Sequence, residues 1–111
     1  MPKTSKENRK LHAEWRAKVL ARDGCCQICG KSDGMLNAHH LIPKEFKIWR
    51  WDVRNGIILC VQHHTLGKFS AHKHPIWFTS WLSKNRPDIL YEVIERINSH
   101  QMDERGEVTH L

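Results

Sequence analysis

Apolar positions along this chain fall into blocks with different periods. Leu11, Trp15 and Val19 recur every fourth residue, the interval of one helical face, and Asp23-Gly24 closes the block. The spacing predicts a helix from about Glu7 to Arg22, entered from a basic, flexible arm over residues 1–10. Met35 to His40 is predicted extended, because Pro43 stops a helix from running through that segment. Asn55-Gly56 is a turn signal, and Ile57-Ile58-Leu59 behind it reads as a second strand. A helix is then expected to start near Val61 and to be interrupted or ended at Gly67. Pro75 fits the first turn of another helix, with Trp77, Phe78, Trp81 and Leu82 as its apolar stripe. Arg86-Pro87-Asp88 opens a last helix whose expected core face is Ile89, Leu90, Val93, Ile94 and Ile97. Trp15, Trp77 and Trp81 read as core. From Ser99 the chain is a polar tail (99–111) expected to fray.

The 111 residues fit one small domain, here set at residues 11–98 between the arm and the tail. With 40% hydrophobic and 27% charged residues, the composition is that of a globular domain. The longest apolar run, Gly56 to Val61, is far too short to cross a bilayer, and Met1 to Lys10 lacks the apolar centre of a secretory signal. A cytoplasmic protein without membrane contact is therefore expected. Eighteen Lys and Arg against 12 Asp and Glu give a charge of +6, which favours a polyanionic partner, most commonly nucleic acid.

Two residue types change the picture further. Cys26-Gln27-Ile28-Cys29 and Cys60-Val61-Gln62-His63 are two pairs of zinc-competent donors, each with two residues between them. One tight turn can present such a pair to a single ion, and two pairs complete a tetrahedron. A redox Cys-x-x-Cys would leave the second pair without a purpose, so a structural zinc that closes the domain is the favoured reading. Cys25 competes with Cys26, and the two-residue spacing favours Cys26. Six of the nine histidines lie between His39 and His74. Adjacent strand residues face opposite sides, so His39 and His40 are expected to divide their work, one as a metal ligand and one as a base. His64 could complete a second metal site. His12, His100 and His110 read as solvated, and His74 before Pro75 as a helix cap.

Taken in order, Cys26-x-x-Cys29, His39-His40-x-x-Pro43 and Asn55-x-x-x-Leu59-Cys60-x-x-His63-His64 resemble the HNH endonucleases, the ββα-metal nucleases. The resemblance runs from about residue 11 to 82, with His63 in place of the family's last cysteine. It implies an α+β single domain: a β-hairpin plus helix on a zinc knuckle, flanked by an N-terminal helix and C-terminal helices. It further implies a metal-dependent DNA endonuclease with His40 as general base. His39 and His64 would ligate a catalytic divalent ion, and Asn55 would order the loop between the strands. The family's third ligand position falls on Lys68, which cannot ligate while protonated. His72 is the substitute, provided Gly67 breaks the helix, since eight helical residues would separate it from His64 by about 12 Å.

The expected cofactors are a structural Zn²⁺ and a catalytic Mg²⁺, Mn²⁺, Ni²⁺ or Co²⁺, with imidazole ligands favouring the last three on softness grounds. The expected partner is double-stranded DNA, contacted by Arg50, Arg54, Lys68 and Trp51. A monomer is the simplest state, with a dimer as the alternative. A bacterial host cell is expected, and a phage-encoded nuclease, a mobile-element homing enzyme and a restriction-type enzyme all fit a free-standing domain this small. The rival is a non-catalytic zinc-stabilised DNA-binding module, which would need none of His40, Asn55 and His64.

Overall fold

The computed structural model describes residues 3–102 and 108–110. Helix α1 covers Ser5–Asp23, beginning ahead of the expected Glu7, so that most of the basic arm is helical. The reason is local: the Thr4 side chain accepts a hydrogen bond from the Glu7 backbone N–H at 3.1 Å, capping the first turn. Trp15 and Val19 on one face of α1 are buried.

Strand β1 (Leu36–His40) pairs antiparallel with β2 (Gly56–Cys60), with Leu36 opposite Cys60 and His40 opposite Gly56. Every residue of β2 is buried. Ile57, Ile58 and Leu59 share one core with Trp15 and Val19 of α1 and with Phe78 and Leu82 further on, which is why this strand is continuously apolar rather than alternating. Asp23 seats α1 on the hairpin by accepting the Ile58 backbone N–H at 2.9 Å.

The helix expected from Val61 is instead a single π-helical turn, Gln62–Leu66. Gly67 ends it, its N–H donating to the Gln62 carbonyl at 2.8 Å. A Cβ on Gly67 would lie 2.8 Å from that same oxygen, so the wide turn depends on glycine there. Helix α2 (Pro75–Asn85) starts at Pro75 as expected, and His74 caps it by accepting the Trp77 N–H at 3.2 Å. Helix α3 (Pro87–Asn98) buries Ile89 and Val93, with Leu90 and Ile97 half-buried, whereas Ile94 is 38% exposed and leaves the expected core face. Val93 meets Ile42 and the buried Trp49 in a second small core beneath the loop between the strands.

The tail differs from expectation too. His100–Met102 (β3) pairs antiparallel with Val108–His110 (β4), satisfying backbone groups that a frayed chain would leave to water. The fold is thus α+β, a two-strand hairpin flanked by helices. No helix among the described residues is long and apolar enough to cross a membrane.

Candidate metal centres and catalytic cleft

The first donor cluster grows from a tight turn. The Cys26 N–H donates to the Lys31 carbonyl at 2.9 Å and the Gly30 N–H to the Cys26 carbonyl at 2.8 Å, with Gly30 at φ +79°, a conformation that favours glycine. The Gln27 N–H donates to the Ile58 carbonyl at 3.0 Å, which ties this knuckle to β2. Cys60 ends β2, and the π turn brings His63 back beside it.

The donor atoms of Cys26, Cys29, Cys60 and His63 all lie within 4.8 Å of one another. Cys29 Sγ and Cys60 Sγ are 3.8 Å apart, Cys26 Sγ and His63 Nδ1 3.8 Å, and Cys60 Sγ and His63 Nδ1 3.3 Å. A tetrahedral zinc with bonds of about 2.3 Å to sulfur and about 2.0 Å to nitrogen separates its ligand atoms by roughly 3.5–3.8 Å. The cluster therefore could hold zinc. Cys25 stays outside it, its sulfur facing the Gln27 amide. Burial pushes the Cys26 thiol up, but backbone hydrogen bonds from Cys29, Cys60 and Ile28 outweigh this and leave it below the ordinary thiol value, favouring the thiolate that ligates.

The second cluster is His39, His64 and His72, whose donor atoms also lie within 4.8 Å of one another. Ring centroids are 5.2 Å apart for His39–His64, 5.1 Å for His39–His72 and 4.7 Å for His64–His72, each pair edge-to-face. Nε2 of His64 and Nε2 of His72 face each other at 3.2 Å. His72 reaches this point because the chain reverses after Gly67. The Ala71 N–H then donates to the His63 carbonyl at 2.8 Å and the His72 N–H to the His64 carbonyl at 3.1 Å.

His64 Nδ1 donates to Asn37 Oδ1 at 2.9 Å, which fixes its tautomer and leaves Nε2 open as a ligand. Burial pushes His39 down to about 3, reinforced by His64, His72 and His40; burial and then His72 push His64 down to about 4. Both imidazoles are neutral near pH 7, the form that binds a metal ion. Because both values fall below the ordinary 6.5, their contribution to the metal-free fold is complete above that pH and is lost as the pH drops toward 4 and 3.

His40 turns to the other side of β1. Its ring stacks on Trp15 at 4.0 Å with 10° between the planes, and Trp51 meets it edge-on at 6.1 Å. Its Nε2 donates to the Arg50 carbonyl at 2.9 Å; a carbonyl can only accept, so Nδ1 is left as the free acceptor. Burial lowers its pKa, the bond to Arg50 opposes that, and the nearby charges of His12, Lys44 and Arg50 lower it further. Trp15 is itself held by its indole N–H, which donates to the Asp52 carbonyl at 2.9 Å.

Asn55 lies behind this arrangement, 3% exposed. Its Oδ1 accepts the Ile42 N–H at 2.6 Å, and its Nδ2 donates to the carbonyls of Ile42 at 3.0 Å and Trp49 at 3.2 Å. The side chain thus orders the interstrand loop, including the peptide next to Arg50 that orients His40. Asn55→Ala is expected to destabilise the fold by on the order of 1–3 kcal/mol, since it strands buried backbone groups. Urea unfolding checks it; an unchanged midpoint would show that the loop is held by something else.

The other sequence candidates have varied settings. Lys68 is exposed. Arg54 pairs with Asp52 at 3.1 Å, and Arg50 donates to the Lys44 carbonyl while lying 5.7 Å from the Trp51 ring. Trp51 is half-buried against the core. The structure adds three residues that sequence reasoning passes over: Asn37 behind His64, Trp15 against His40, and His12, which is exposed but lines the same cleft as the histidines. His12 precedes Trp15 by three residues and so shares its helical face, a usable signal once Trp15 is known to face His40.

A family model described as HNH endonuclease matches residues 26–69, the stretch from the knuckle through both strands and the π turn. No curated protein matches the chain, and no solved structure does. The match points to nuclease or DNA-binding function, on a segment that holds every donor of the first cluster and two of the three in the second. Over residues 26–69, about two fifths of the chain, the protein is similar to the HNH endonucleases.

Proposed function

We propose that the protein is a metal-dependent endonuclease that hydrolyses phosphodiester bonds in double-stranded DNA, with His40 as general base. The observation that carries this reading is the division at the end of β1: His39 faces His64 and His72, while the adjacent His40 faces away with one ring nitrogen committed to a carbonyl. A binding module would have no need for such an arrangement.

His39, His64 and His72 would hold the divalent ion, and Cys26, Cys29, Cys60 and His63 a structural zinc. The three imidazoles suit Mn²⁺, Ni²⁺ or Co²⁺ better than Mg²⁺. A divalent ion held there would supply positive charge against the negative charge that develops on the phosphate and its leaving group. His40 Nδ1 takes a proton from water as the water oxygen bonds to phosphorus and the bond to the 3′ oxygen breaks; that oxygen takes up a proton from solvent, giving 5′-phosphate and 3′-hydroxyl ends. Trp15 and the Arg50 carbonyl hold the His40 ring in place for that transfer, a positioning role.

Nicking of supercoiled plasmid with and without added Mn²⁺ or Mg²⁺ tests the proposal. Binding of DNA without any nicking under either ion would leave the non-catalytic module instead. His64→Ala should abolish the response to divalent ion while retaining zinc, because His63 and its neighbour serve different clusters. Loss of zinc from His64→Ala but not from His63→Ala would reverse the two assignments.

A further inference from the structure

The histidines open onto a cleft of about 820 Å³. On the His40 side its wall carries His12 from α1 and Lys44 from the interstrand loop, against one carboxylate, Glu45, among the described lining residues. The His12 ring stands 6.3 Å from His40, 5.7 Å from Trp15 and 6.0 Å from Trp51, so packed aromatic rings fix its position at the cleft edge. Lys44 and Arg16 are the charges that bear on it. Arg16 is already committed to the Leu36 carbonyl at 2.8 Å. Among the described residues the Lys44 ammonium forms no ion pair. Neither His12 nor Lys44 has a part in the two donor clusters or in the proton transfer.

We propose that His12 and Lys44 form a subsite for one DNA backbone phosphate, the one immediately 3′ of the scissile phosphate. The inference rests on the endonuclease reading, and its direction combines in-line chemistry with the placement of both side chains on the His40 side of the cleft. In-line displacement puts the leaving 3′ oxygen opposite the attacking water. With water at His40, that oxygen and the nucleotide carrying it lie toward His39, His64 and His72. The 5′ oxygen stays with the phosphate, equatorial to that axis, so the strand continuing from it parts from the leaving nucleotide and can run along the His40 edge of the cleft, where His12 can donate an N–H and Lys44 a charge. Such contacts hold the backbone without reading sequence.

The test uses a labelled duplex whose main wild-type cleavage position has been mapped, with a neutral methylphosphonate placed at the phosphate either 3′ or 5′ of it. At a pH well above the ordinary imidazole value, where His40 is neutral with or without these neighbours, His12→Ala and Lys44→Ala should raise KM and leave kcat near wild type. The 3′ methylphosphonate should raise KM for the wild type and add nothing in the double variant, whereas the 5′ one should weaken both proteins alike. Equal sensitivity of wild type and double variant to the 3′ substitution would overturn the subsite. A fall in kcat at constant KM would overturn it too, placing His12 in the chemistry.

Fluorescence anisotropy on unmodified duplex without divalent ion keeps the two readings separable. If wild type binds but never cuts, the endonuclease reading fails. The subsite then stands or falls on whether the double variant loses affinity, with Lys44→Ala alone reducing the salt slope by about one. Unchanged affinity and slope overturn it.

Discussion

His40→Ala is expected to fold, retain zinc and bind DNA at close to wild-type affinity while cutting it ~10²–10⁴-fold more slowly, the usual cost of removing a general base. The fold should survive because His40 is half-buried and stacks on one face of Trp15, outside the buried core to which Trp15, Val19 and the β2 side chains belong. Cleavage by the wild type should fall as the pH drops, since protonated His40 accepts nothing. The fall should lie below pH 6.5, because burial lowers the imidazole from that ordinary value. Rates from single turnovers on plasmid DNA check both statements. A His40→Ala protein, free of contaminating nuclease, that cuts at the wild-type rate would remove His40 from the mechanism. His39→Ala should behave differently, shifting activity to higher divalent-ion concentration.

Loss of the structural zinc should have the largest effect on stability. Structural zinc in small domains contributes binding free energy of about 10–16 kcal/mol, as large as the net folding stability of a whole domain, about 5–15 kcal/mol. Here the knuckle, the end of β2 and the π turn would meet at one ion, so without it the two faces of the hairpin lose their common anchor. Cys29→Ala is the cleanest probe: Cys29 is exposed, so truncating it opens no cavity, unlike the buried Cys26 and Cys60. The variant, and the wild type treated with a strong chelator, should melt at a sharply lower temperature. Metal analysis of the purified wild type should find one zinc per chain. A metal-free protein with an unchanged melting temperature would refute the assignment.

Much of this could be read from short stretches of sequence, for a physical reason: helical periodicity, proline placement and ligand spacing are local. Leu11, Trp15 and Val19 announce α1, Pro75 and Pro87 start α2 and α3, and two donor pairs with two-residue gaps converge as such pairs must to share a tetrahedron. The alternation of strand side chains likewise parts His39 from His40 before any coordinates are known.

Tertiary structure decided what depends on the chain returning to itself. His72 meets His64 only because the backbone opens into a π turn and reverses after Gly67, whose missing Cβ lets the Gln62 carbonyl approach; regular helical spacing would have kept the two apart. Ile94 sits at helical spacing for the core yet is exposed, since what a helix buries is set by its neighbours. His12 reads as one more solvated histidine until α1 is laid across the hairpin and carries it to the edge of the cleft. The sequence by itself determined which residues could ligate, and roughly in what order of elements. The packing of α1 against β1 and β2, which no local rule contains, decided which of the remaining side chains stand beside them.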